Sequence, residues 1–84
     1  MSSAVEPGEV HLRVGPFSGD WVAVHFEPSG MIYELLAGDW LDVTMRGPEL
    51  GLIEIGHTPT AVIVGSWPDA EVHVRASDGT VLEV

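Results

Sequence analysis

The side chains of this chain that could do chemistry near neutral pH are four histidines, His11, His25, His57 and His73; there is no cysteine. Histidine supplies both a titrating group and a borderline metal ligand. None of the four stands in an H-x-H, H-x-x-x-H or H-E-x-x-H spacing, so local sequence gives a zinc site no support. Ser18, Ser29, Ser66 and Ser77 fall in loop-forming contexts without a G-x-S-x-G elbow. No glycine-rich phosphate loop leads into a helical pattern. Carboxylate pairs such as Asp39 with Asp42, or Glu34 with Glu54, have the groups for acid–base work, but among 13 acidic residues such pairs arise freely. The expectation is a non-catalytic protein with no cofactor and no dedicated metal.

Two of the histidines carry a more specific possibility. Glu9-Val10-His11-Leu12-Arg13-Val14 is echoed by Glu71-Val72-His73-Val74-Arg75-Ala76. Paired antiparallel, the segments would set His11 against His73, Glu9 against Arg75 and Arg13 against Glu71. Opposite charges across strands contribute about 0.2–1 kcal/mol each, and the two facing histidines would be candidate ligands. A parallel, in-register pairing would set like charges side by side. The plainer alternative is a pair of solvated surface histidines. A second echo, Gly19-Asp20-Trp21-Val22-Ala23-Val24 against Gly38-Asp39-Trp40-Leu41-Asp42-Val43, reports repeated strand geometry.

The elements that would position these groups are strands. Apolar residues recur with period two in short bursts, each closed by glycine, proline or aspartate. The bursts predict strands near residues 9–14, 20–27, 31–36, 40–46, 52–56, 60–65, 71–76 and 80–84, with no convincing amphipathic helix. Ser77-Asp78-Gly79 and Ala37-Gly38-Asp39 are predicted hairpin turns. About seven or eight strands in so short a chain imply an all-β domain, either a small antiparallel barrel or a two-layer sandwich with meander-like connections. Residues 1–8 read as a flexible N-terminal arm and residues 9–84 as a single domain.

Alternation then sorts the side chains. Val10, Leu12 and Val14; Val22, Val24 and Phe26; Leu41, Val43 and Met45; and Val72, Val74 and Ala76 are expected in the core, joined by Ile53, Ile55, Val62, Val64 and either Val81 or Leu82. Thr60-Ala61-Val62-Ile63-Val64 is apolar on both faces, so it is expected to be a central strand covered on both sides or half of an interface. Trp21 and Trp40 fall on the non-core face and Trp67 in a loop before Pro68. Each is either an exposed binding anchor or a plug over the end of the fold. With His25 and Asp42 they form the candidate interaction surface. Glu34 shares a face with Ile32 and Leu36. Were that face the core, Glu34 would be a desolvated carboxylate and a site candidate; the alternative turns Tyr33 and Leu35 inward instead.

The segment Tyr33-Glu34-Leu35-Leu36-Ala37-Gly38-Asp39-Trp40-Leu41-Asp42-Val43 resembles the turn between strands of cupins over about a dozen residues. The cupin histidine-rich metal motif has no counterpart here, because neither His25 nor His57 has the required neighbours, so the resemblance implies no metal and no activity.

Charge narrows the partner. Against the 13 acidic residues stand three arginines, Arg13, Arg46 and Arg75, for a formal net charge of −10. That balance argues against nucleic acid, which requires a basic footprint, and against an anionic membrane surface. It suits a basic protein partner drawn in by electrostatic steering; solubility alone is the other explanation. The absence of lysine, asparagine and glutamine fits the codon usage of a high-GC bacterial genome. Residues 1–8 show neither a basic start nor an apolar run, which with the lack of a long apolar stretch gives a cytoplasmic expectation. The leading expectation is an acidic protein-interaction module of the immunity or inhibitor type. The alternatives are a small-molecule-binding barrel with Tyr33 and the tryptophans at its mouth, and a homo-oligomeric structural protein that buries the second face of residues 60–65.

Overall fold

A computed structural model describes residues 8–15 and 19–84, so the expected N-terminal arm lies, but for Gly8, outside the described residues. Eight strands follow one another: β1 (Glu9–Val14), β2 (Trp21–Glu27), β3 (Met31–Leu36), β4 (Leu41–Arg46), β5 (Glu54–His57), β6 (Ala61–Gly65), β7 (Glu71–Ala76) and β8 (Val81–Leu82). They form two four-stranded sheets, one in the order β1-β4-β7-β8 and one in the order β3-β2-β6-β5. The architecture is a two-layer sandwich and not a closed barrel.

The meander expected from the sequence is corrected. Only β2–β3, β5–β6 and β7–β8 are paired neighbours in the chain, and β2 runs parallel to β6. Ala37-Gly38-Asp39 is a tight turn, as its residues suggest, but it carries the chain from one sheet to the other and makes no hairpin. Gly38 takes a φ of +88°, Asp39 N–H donates to the Leu36 carbonyl at 2.9 Å, and the Asp39 carboxylate accepts from Leu36 N–H at 3.2 Å. Ser77-Asp78-Gly79 does close a hairpin, with Gly79 at φ +93° and Thr80 N–H bound to the Asp78 carboxylate at 2.9 Å.

β4 leaves its chain neighbour for two strands that complement its charges. Antiparallel between β1 and β7, it places Arg46 between Glu9 and Glu71, Thr44 between His11 and His73, and Asp42 between Arg13 and Arg75. The apolar β3, Met-Ile-Tyr-Glu-Leu-Leu, offers no such complement.

The inner faces carry the core. Val24, Phe26, Leu35, Leu41, Val43, Met45, Val64, Trp67 and Val74 pack together, and Val10, Leu12, Val14, Val22, Val62, Val72 and Ala76 line its margin. Burying side chains of this kind contributes about 1.5–3 kcal/mol each. Trp67 enters from the β6–β7 connection and plugs one end. Ile53 and Leu82 are half-buried, whereas Val81 and Ile55, the latter on the edge strand β5, are exposed and, against expectation, not part of the core. Tyr33 packs edge-on against Phe26 at 6.4 Å, and its hydroxyl donates to the Glu83 carbonyl, tying the C-terminal segment to β3.

Candidate functional site

The two outer faces of the sandwich are chemically opposite. On the β1-β4-β7-β8 sheet, alternation turns every charged residue of the Glu-x-His-x-Arg echo outward. Arg13 donates through Nε to Asp42 Oδ1 at 2.7 Å and through Nη2 to Oδ2 at 3.2 Å, a two-point contact. The same guanidinium lies 4.9 Å from the ring centre of Trp40. Glu9 accepts from His11 Nε2 at 2.6 Å and from Arg46 Nε at 3.1 Å. His11 Nδ1 is 3.2 Å from Thr44 Oγ1, and His73 Nε2 is 3.5 Å from Glu71. These contacts set the acid–base properties. The hydrogen bond from Arg13 holds Asp42 below the usual carboxylate range, and the bond from His11, helped by Arg46, does the same for Glu9.

This lattice corrects the expected pairing of β1 with β7. Both strands run antiparallel to β4, which lies between them, so His11 and His73 sit two strand spacings apart, about 9.5 Å, with Thr44 in the middle. Among the described residues no three histidine, aspartate or glutamate side chains converge as metal ligands.

The outer face of the other sheet is apolar. Strand register sets its residues in rows: Leu36 beside Trp21; Glu34, Ala23 and Ala61; Ile32, His25, Ile63 and Gly56; then Glu27, Gly65 and Glu54. Trp21 is 46% exposed, Ile32 54% and Leu36 62%. Ala23, Ala61 and Gly56 keep the middle low. Next to this patch lies a depression of about 340 Å³ floored by Gly56, Gly65 and Ile63, with Glu27 and Glu54 on its walls. The two glutamates flank Gly65 on either side, so their backbones stand about 9.5 Å apart. No protein-family profile, curated protein or solved structure matches this chain.

The residues expected to form one interaction surface are therefore divided. Trp21 and His25 share the apolar face, with His25 half-buried between Ile32 and Ile63. Trp40 and Asp42 belong to the charged lattice. Trp67 is the plug and not an anchor: it is 7% exposed, Gly51 packs on its Cβ and ring, and its Nε1 has no acceptor among the described residues. Glu34 is exposed while Leu35 points inward, which removes the desolvated-carboxylate reading. Tyr33 and Trp40 do meet, at a depression of about 310 Å³ at one end of the sandwich. Sequence reasoning missed the Glu27–Glu54 notch. Its one signal was the doubly apolar run at residues 60–65, since Ile63 and Gly65 of that run form part of the floor.

Proposed function

We propose that this protein is an acidic interaction module that binds a basic protein through the outer face of the β3-β2-β6-β5 sheet. The observation that carries the reading is the glycine-floored notch between Glu27 and Glu54, beside the exposed Trp21, Ile32 and Leu36. A lysine or arginine of the partner laid along Gly56 and Gly65 would meet a carboxylate on each side, while its apolar neighbours cover the tryptophan. The arginines strengthen the reading by their placement: all three lie on the opposite face, so none neutralises Asp20, Glu27, Glu34 or Glu54. Acidic rims of this kind accelerate encounter with a basic partner and make it sensitive to salt.

The test is affinity capture from source-cell lysate at low salt on two columns, one bearing the native chain and one bearing Trp21→Ala/Glu27→Gln/Glu54→Gln. A stoichiometric basic protein that is held by the first, released by salt and missing from the second supports the assignment. Equal capture by both columns, or capture by neither, refutes it.

A further inference from the structure

We infer that the free edge of β3 pairs with the same edge of a second copy of this chain, across a two-fold axis at Tyr33. The argument starts from which backbone groups are open. Ala37 N–H donates to the Asp20 carbonyl at 3.3 Å, which makes that pair a hydrogen-bonded one. Antiparallel ladders alternate, so Leu35 and Tyr33 bond to β2, while Ile32, Glu34 and Leu36 turn their N–H and C=O groups away from it. Independent contacts agree: Ala23 N–H donates to Thr60 on the other side of β2, and the Asp39 side chain occupies Leu36 N–H. Leu36 is thus capped, its carbonyl taken by Asp39 N–H. At the other end Gly30 N–H is spent on the Phe26 carbonyl at 2.7 Å. Between these two caps, Ile32 and Glu34 have no backbone partner among the described residues.

A second β3 fits this open edge in one register. Side chains keep to their own face only if the two paired residue numbers sum to an even value. Placing Glu34 on the axis would set two carboxylates against each other and call on the capped Leu36. Placing Ile32 there would call on the occupied Gly30 N–H. With Tyr33 on the axis, Ile32 of each chain faces Glu34 of the other, and the two pairs exchange four hydrogen bonds using open groups alone. Met31 then lies across from Leu35, and the exposed Ile32 and Leu36 of both chains come together on one continuous outer face. The strand has no proline, lysine or bulge to discourage pairing. Opposing it is the −10 charge on each copy, so added salt strengthens this contact. That is the reverse of the salt response of a basic partner, and the two readings therefore fail separately.

The experiment is sedimentation equilibrium over a concentration series at low and raised salt, together with amide hydrogen exchange by NMR. The expected result is a mass rising towards twice 9.0 kDa, more readily at raised salt. Exchange at the Ile32 and Glu34 amides should slow with protein concentration, while Tyr33 and Leu35 stay protected throughout. Glu34→Pro removes an edge donor that β2 does not use and should weaken self-association at least tenfold. Ile32→Glu, at an exposed side chain, sets carboxylates against each other in both Ile32–Glu34 pairs and serves if the proline variant fails to fold. A 9.0 kDa mass at every concentration and salt overturns the inference. So does a dimer whose Ile32 and Glu34 amides exchange freely, or a folded variant that dimerises as the native chain does.

Discussion

The two outer faces share one core, yet one answers its own charges and the other leaves its surface unanswered. On the β1-β4-β7-β8 sheet each charged row is complemented inside the chain: Glu9, Arg46 and Glu71, then Arg13, Asp42 and Arg75. On the β3-β2-β6-β5 sheet, Trp21, Ile32 and Leu36 remain exposed beside Glu27, Glu34 and Glu54, with no cation among them. A face that satisfies itself has little left to offer a partner. The difference teaches that in a strongly acidic protein the informative quantity is where the few cations are placed, more than the net charge.

The largest expected effect tests whether the faces rest on one cooperative unit. Met45 is fully buried on β4 beneath the charged lattice. Met45→Ala should cost about 2–5 kcal/mol, and amides of both sheets should lose protection at one denaturant concentration. Two separate transitions in the NMR-monitored unfolding would divide the faces into independent units. Next in size is binding. Trp21→Ala should lower affinity for the basic partner by about 2 kcal/mol, roughly thirty-fold, measured by calorimetry, at a stability cost of no more than about 1 kcal/mol. Gly65→Val should act on the same contact by filling the notch floor: a Cβ there meets only Glu54, at 3.5 Å and beyond, so the fold should persist while binding falls.

Acid separates the faces more gently. Asp42 and Glu9 are held below their ordinary values, so each binds fewer protons folded than unfolded. Their stabilisation is complete above the unfolded values and is lost as pH falls below roughly 4. Backbone amide shifts around Glu9 on β1 and Asp42 on β4 should therefore move late in an acid titration, with midpoints below the ordinary carboxylate values. The smallest effect belongs to the exposed Arg13–Asp42 pair. Either single change, Arg13→Asp or Asp42→Arg, should lower Tm slightly, and the double exchange should recover only part of the loss, because an arginine at position 42 stands beside Arg75. A double variant less stable than both singles would mean that the stack of Arg13 on Trp40 matters more than the ion pair.

Much of this fold was legible. Strict alternation gave all eight strands to within a residue or two at most ends, and it gave the inward set from Val10 to Val74, because a half-buried strand writes its two faces into adjacent residues. Alternation says nothing of which strand lies beside which, and there the reading failed. The Glu-x-His-x-Arg echo pointed to β1 and β7 as partners, when it marks two strands that want the same complement, supplied by Asp42, Thr44 and Arg46. Trp21 and His25 were placed on the right face from sequence. The Glu27–Glu54 notch was not, because it exists only once β6 separates two segments distant in the chain. Trp67 was ambiguous for a like reason: a loop tryptophan before a proline reads as exposed until the crossing between layers folds it inward.

The parallel pairing of β2 with β6 has a consequence for how the molecule comes into being. Residues 28–60 form the loop that this pairing must close, and that loop contains β4, the central strand of the opposite sheet. Neither layer can therefore be assembled first from a contiguous stretch and the other added later. Closure of long loops must precede most of the contacts that repay it. Folding should be slow for so small a chain, on the order of milliseconds to seconds, with both surfaces appearing in a single kinetic phase.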